Sequence, residues 1–253
     1  MRDEDDMRAW LKERQDRGLE GVGASLVGNG KVHDLWNGRK GDFEFLMMAM
    51  RVAAELGLKH GATIYLTKSV LPLIDETVEL IAQRIPTPQN SRHFRPFYYI
   101  GHAAHHEAER LDEADIDRLP SYVKAEFSDD WVFRSERQWI EHLLKEPPST
   151  RKTYLRLELD TRNIAALEAR SCDDIFSDME SRARATLAQL PTTEELMERY
   201  GDRESTKIYP GIVDIDRVWI NRHLDANSIE YDRKLLHYHL GKSLKPPRLS
   251  LPR

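Results

Sequence analysis

Apolar positions recur with two different periods along the first 120 residues, and they divide that stretch into short strands and amphipathic helices. Residues 3–17 form a polar helix whose main apolar content is Trp10 and Leu11, ending near Gly18. Gly21-Val-Gly-Ala-Ser-Leu-Val27 and Lys31-Val-His-Asp-Leu-Trp36 flank Gly28-Asn29-Gly30. An Asn-Gly pair between two β-rich runs predicts a hairpin, with strands at about 22–27 and 31–36. Gly41-Asp42 opens a helix to about Leu58, with Phe45, Met48, Val52 and Leu56 at helical spacing as its core stripe. Gly61 stops that helix, and Ala62-Thr-Ile-Tyr-Leu-Thr67 is a buried strand. A further helix runs from about Val70 to Arg84 with Leu73, Val78, Leu80 and Ile81, and a Pro-rich loop follows. Phe97-Tyr-Tyr-Ile100 is bulky enough for a buried strand at about 96–100, and Gly101 turns it into a helix-forming run.

Beyond this point helical spacing dominates. Ser128 to Lys145 is expected to be a helix with Trp131, Trp139, Ile140 and Leu143 inward, and Pro147-Pro148 marks a boundary. Tyr154-Leu-Arg-Leu-Glu-Leu-Asp160 alternates as a strand, with its leucines on one face and Asp160 on the polar one. Helices at about 162–190 and 192–200 precede a strand around Lys207–Val213, which leaves Asp214 and Asp216 as solvated carboxylates at its end. The expected organisation is an N-terminal helix at 1–20, an α/β domain at 21–120 and an α-rich region at 121–253.

Composition narrows the class. Hydrophobic residues make up 40% and charged residues 32%, a globular balance. No apolar run approaches the roughly 18 residues of a membrane span. The acidic start, Met1 to Met7, lacks the positive and apolar pattern of a secretory leader, and Cys172 is alone, so a cytoplasmic setting without an internal disulfide is expected. Net charge is −5, which argues against a strongly basic nucleic-acid binder but leaves room for local patches. One such patch is the tail from Arg233, with six Lys/Arg, no Asp/Glu, and Pro246, Pro247 and Pro252.

The run from Gly101 to Glu113, Gly-His-Ala-Ala-His-His-Glu-Ala-Glu-Arg-Leu-Asp-Glu, resembles the ribonuclease HI signature that joins the last strand to the last helix of that family, with nine positions coinciding. The resemblance implies a ribonuclease-H-like mixed sheet flanked by helices, here with an α-rich C-terminal extension. Residue by residue, it implies that His102 assists proton transfer or product release and that Asp112 holds metal. Glu44, near the start of the helix after the hairpin, matches the family's second metal-binding acid.

Two acids of the family's four are missing. The third belongs to a Thr-Asp-Ser triplet, and here the triplet is Thr67-Lys68-Ser69. A protonated lysine cannot ligate Mg²⁺, and it puts positive charge where the cation would sit. Lys68 is therefore expected to pair with Glu44 or Asp112. The fourth acid belongs to a strand upstream of the hairpin, where this chain has a charged helix; its absence leaves a gap in the sheet's centre. Asp160 is the candidate for a displaced acid. Two-metal phosphoryl chemistry needs several anionic oxygens around two ions about 4 Å apart, so Mg²⁺ binding through Glu44 and Asp112 alone is expected to be weak or absent.

The resemblance thus implies a nucleic-acid-binding protein, for an RNA/DNA hybrid or other duplex, with reduced or no hydrolysis. One rival is an active Mg²⁺-dependent endonuclease completed by Asp160 or another acid. The other is a protein-interaction scaffold, engaging a partner through the C-terminal region.

Overall fold

The computed structural model describes residues 3–85, 92–97, 106–126, 134–148 and 163–229, with short pieces at 151–153, 157, 161 and 238–239. The chain divides into two compact units, Met1–Val132 and Phe133–Arg253. The N-terminal helix belongs to the first of them, together with the α/β elements.

Unit 1 begins with α1 (Glu4–Asp16), whose start is capped by the Asp3 carboxylate accepting from the Asp6 N–H, with acids in the first turn. Strand β1 (Gly21–Leu26) leads into α2 (Gly30–Asn37) and α3 (Asp42–Glu55), then β2 (Lys59–Leu66), a short 3₁₀ turn at Leu71–Leu73, α4 (Ile74–Arg84), and β3 (Arg92–Pro96). Two short helices, α5 (Glu113–Arg118) and α6 (Ser121–Lys124), complete the described part. The three strands form one sheet in the order β1-β2-β3, and both pairings are parallel, with Gly21 opposite Lys59 and Ala62 opposite Arg92.

This topology corrects two expectations. Residues 31–36 are helical, so the hairpin does not form, and among the described strands the sheet is parallel rather than mixed. The central gap also disappears, because β1 pairs directly with β2. The cause lies in the brackets around α2: Asn29 takes the extended N-cap conformation, and Gly38 closes the helix in the left-handed region at φ 63°. With helical period, Val32 and Trp36 fall on one side and Leu35 is left 80% exposed.

Helix α3 is buried on more than the expected stripe. Phe43, Met47 and Met50 are buried, while Val52 and Ala53 meet Met7 and Leu11 of α1, with Phe45, Met48 and Leu56 packed at the margin. Ala24, Leu26, Ala62, Ile64, Leu66 and Phe94 supply the buried positions of the sheet.

Unit 2 is mostly helical: α7 (Glu136–Lys145), α8 (Ile164–Glu168), α9 (Cys172–Leu187), α10 (Thr193–Tyr200) and α11 (Ile212–Ala226). Short pairs join β4 (Arg134–Ser135) to β6 (Ile208–Tyr209) and β5 (Lys152–Thr153) to β7 (Tyr238–His239), both antiparallel. Trp139, Ile140 and Leu143 face inward as expected and pack with Leu196, Trp219 and Ile220. Asp214 and Asp216 are corrected: they lie inside α11 and are 3% and 0% exposed, because Ile212, Ile215, Trp219 and Ile220 carry a helical repeat. No helix among the described residues is long and apolar enough to cross a membrane.

Candidate functional site

In an open parallel sheet, side chains and loop amides converge beyond the carboxyl ends of the strands. Here that edge gathers Gly28 to Lys31 after β1, Thr67 to Ser69 after β2, and Phe97 after β3. Helix α2 starts at the end of β1. Near its other end, the Trp36 indole N–H donates to Ser69 Oγ at 3.4 Å, and the ring lies 5.0 Å from Phe97 and 4.7 Å from His106. The helix therefore reaches from the end of β1 to residues that follow β2 and β3.

The turn into α2 is held from below. Buried His33 accepts the Val27 N–H on Nδ1 at 3.0 Å, which places its proton on Nε2, facing Asp42 Oδ2 at 3.3 Å. Asn37 Nδ2 donates to the same Asp42 oxygen at 2.7 Å. The Asp34 carboxylate takes the N–H groups of Phe43 and Gly41, and these hold it below the usual carboxylate range. Gly28 has φ +74°, and a methyl there would stand 3.1 Å from a Val32 methyl. Gly30 has φ +43°, and nothing lies within 4 Å of where its Cβ would be.

Between these glycines sits the decisive residue. Asn29 is 9% exposed, caps α2 without a side-chain hydrogen bond, and its Nδ2 is buried with no acceptor among the described residues. A buried donor without a partner costs about 1–3 kcal/mol. The Asn29 carbonyl accepts the Val32 and His33 N–H groups at 3.0 and 3.3 Å, and the positive end of the helix dipole lies at this turn.

The end of β2 is fastened differently. The Lys68 N–H donates to the Glu109 carbonyl at 2.9 Å, and the Ser69 N–H donates to Glu109 Oε2 at 2.8 Å. Lys68 Nζ donates to Asp112 Oδ2 at 2.9 Å and lies 3.8 Å from Asp115. That pairing raises the pKa of Lys68 and lowers that of Asp112, in each case through their mutual hydrogen bond first. Asp112 also caps α5 in a reciprocal capping box with Asp115.

No protein-family model, curated protein or solved structure matches this chain.

Of the residues singled out from the sequence, Lys68 and Asp112 meet as expected. Glu44 does not join them; it is 65% exposed at the side chain and pairs with Arg84 at 2.7 Å. His102 and Asp160 lie outside the described residues. Among the described residues, no group of three His, Cys, Asp or Glu side chains is arranged to hold a metal. Glu44 and Asp112 are each engaged by a cation, Arg84 and Lys68, and do not fit a two-metal Mg²⁺ site.

The sequence pattern places Asn29 in a hairpin turn and singles out neither His33 nor Trp36 for a functional role. The signal was present in the spacing: Asn29 and Gly38 bracket eight residues as an N-cap and a C-terminal glycine would. The turn at Gly28–Lys31 thus combines two left-handed glycines, a buried amide and a helix start, with Lys31 exposed beside them.

Proposed function

We propose that unit 1 binds a phosphate-bearing ligand at the carboxyl edge of its parallel sheet, with Gly28-Asn29-Gly30 and the first turn of α2 receiving the phosphate. The observation that carries this reading is the buried Asn29 amide, without an acceptor, at a helix N-terminus. A phosphate oxygen there supplies the missing acceptor and meets the dipole and backbone N–H groups together. The two glycines let the backbone come close to the anion. Calorimetric titration of the full chain with inorganic pyrophosphate tests it. Saturable binding that weakens with salt, and falls at least tenfold in Asn29→Leu, is the expected result. Equal binding by the variant overturns the reading.

A second reading is favoured by the Lys68–Asp112 pair: a ribonuclease-H-like protein with degenerate acids that holds an RNA/DNA hybrid without cleaving it. Lysine stands where that family has its third acid, and it pairs with the residue matching another. The parallel sheet and the helix at Gly30–Asn37 weigh against the hairpin half of the resemblance. Hybrid binding at low salt with only background cleavage in Mg²⁺ or Mn²⁺ is its expected outcome. Cleavage abolished by Asp112→Asn would instead favour the active endonuclease, and no duplex binding at all would leave the scaffold.

A further inference from the structure

We infer that the phosphate-bearing ligand is a mononucleotide whose base lies against Trp36; the inference rests on the phosphate reading above. Asn29 and Trp36 are seven residues apart, the N-cap and the seventh residue of one helix. Seven residues are close to two full turns, so the two side chains share a side of α2 and are separated by about 10 Å along its axis. That span matches the reach of a nucleoside phosphate from its phosphorus to its base.

The intervening surface supports this placement. Val32, one turn after Asn29 and one before Trp36, lies on the same side and is partly buried. The tryptophan is held rather than loose: its N–H is taken by Ser69 Oγ, and Phe97 and His106 brace the ring at tilts of 50° and 46°. It is still only partly buried, and His106 is exposed. An indole held by its N–H and left partly in solvent keeps some aromatic surface against which a base can pack, and base–aromatic stacking tolerates any base. Leu35, about 100° around α2 from Trp36, is far more exposed and offers no ring. Thus α2 carries the buried Asn29 amide at one end and an oriented, partly exposed aromatic ring at the other.

The experiment compares adenosine 5′-diphosphate, ribose 5-phosphate and adenosine by calorimetry on the full chain. The wild type is set beside Trp36→Ala, Trp36→Phe and Asn29→Leu, with folding checked by circular dichroism. The nucleotide should bind at least tenfold more tightly than ribose 5-phosphate, in keeping with the worth of one base–aromatic stack. Trp36→Ala should erase that advantage while leaving ribose 5-phosphate binding unchanged, and Trp36→Phe should restore most of it. Asn29→Leu should weaken both phosphorylated ligands and leave adenosine alone. Equal binding of nucleotide and ribose 5-phosphate, insensitive to Trp36→Ala, overturns the inference while the phosphate reading stands. Failure of both phosphorylated ligands to bind overturns both. Tight binding of a short single-stranded oligonucleotide, with no binding of the mononucleotide, overturns the inference in favour of a polynucleotide.

Discussion

Unit 2 buries a carboxylate that has every oxygen accounted for, whereas unit 1 buries an amide whose donor meets no acceptor among the described residues. Glu136 is fully buried at the start of α7. It accepts from both terminal nitrogens of Arg222, from the Trp219 indole N–H at 2.7 Å and from the Asp202 N–H at 2.9 Å. Burial acts to lower the Arg222 pKa, but the Glu136 carboxylate outweighs it and the net shift is upward. Asp216, also fully buried, is held by two guanidinium nitrogens of Arg151 at 2.9 and 2.8 Å, and that arginine also reaches the Pro191 carbonyl. Such groups tie α7, α10 and α11 together and need nothing from outside. Asn29 lacks that closure. Unit 1 also closes some of its buried polarity internally, as at His33 and Asp42, so the contrast lies between Glu136 and Asn29 themselves, and the difference is whether the partners are internal.

Removing a staple should have the largest effect. Glu136→Ala leaves Arg222 and two N–H donors facing a cavity, and breaking a buried pair from one side costs about 3–5 kcal/mol. Denaturant unfolding, followed by a probe in unit 2, should show a loss of that size, with Glu136→Gln milder because it keeps the shape and one acceptor oxygen. A loss below about 1 kcal/mol would remove the contrast on which the comparison rests.

Next in size is the turn before α2. Gly28→Ala puts a side chain on a left-handed backbone, which costs about 1–2 kcal/mol, and also brings its methyl against Val32. Pyrophosphate binding should fall with it. Binding that survives intact would mean that the loop is not the receiving element.

How much of this was legible follows from where each element gets its stability. Strands β1 and β2 and helices α3 and α4 were readable because long apolar runs or helical stripes declare them. Strand β3 was misplaced to 96–100, although it covers Arg92–Pro96 with polar residues on either side of Phe94. Among the described strands it lies at the edge of the sheet, where polar residues and a terminal proline are tolerated. Helix α2 was misread because Lys31 to Trp36 alternates over too few residues to separate a period of 2 from one of 3.6. Its caps decided the matter. Asp214 and Asp216 were read as solvated because their partners are distant in sequence; Arg151 is 65 residues from Asp216. The Lys68–Asp112 pair was expected from the ribonuclease HI resemblance, which sets a lysine at one acid's place beside Glu44 or Asp112; of these two, Asp112 is the partner.

That pair gives a smaller and pH-dependent effect. Lys68 is 41% and Asp112 28% exposed at the side chain, so solvent screens the interaction to about 0.2–1 kcal/mol. Asp112 has a lowered pKa, so its contribution is present above the ordinary carboxylate value near ~3.9 and fades as pH falls through the lowered one. Lys68 has a raised pKa, so its contribution is complete below the ordinary value near ~10.4 and is lost as pH rises through the raised one. Wild type minus Lys68→Met, measured by thermal unfolding across pH, should be flat between these limits and fall at both ends. A difference that persists in 1 M salt would show a pair less screened than its exposure indicates.

The smallest change in stability, and the one with the most to say about unit 1, is expected from Asn29→Leu. A capping asparagine ordinarily contributes about 1 kcal/mol through its bond to a helix N–H. Asn29 makes no such bond, its φ of −120° and ψ of 163° suit any residue, and its Nδ2 carries a desolvation cost with nothing to offset it. Leucine has similar volume and no polar atom, so the substitution should leave the unfolding free energy unchanged or raise it by up to ~1 kcal/mol. Pyrophosphate should raise the thermal midpoint of the wild type but not of the variant, because only a ligand-bound native state gains from mass action. A variant that is destabilised by more than about 1 kcal/mol without ligand would mean that Asn29 already has an internal role, making it a staple like Glu136. A variant as stable as the wild type that has lost the pyrophosphate shift would separate the two kinds of buried polar group by experiment.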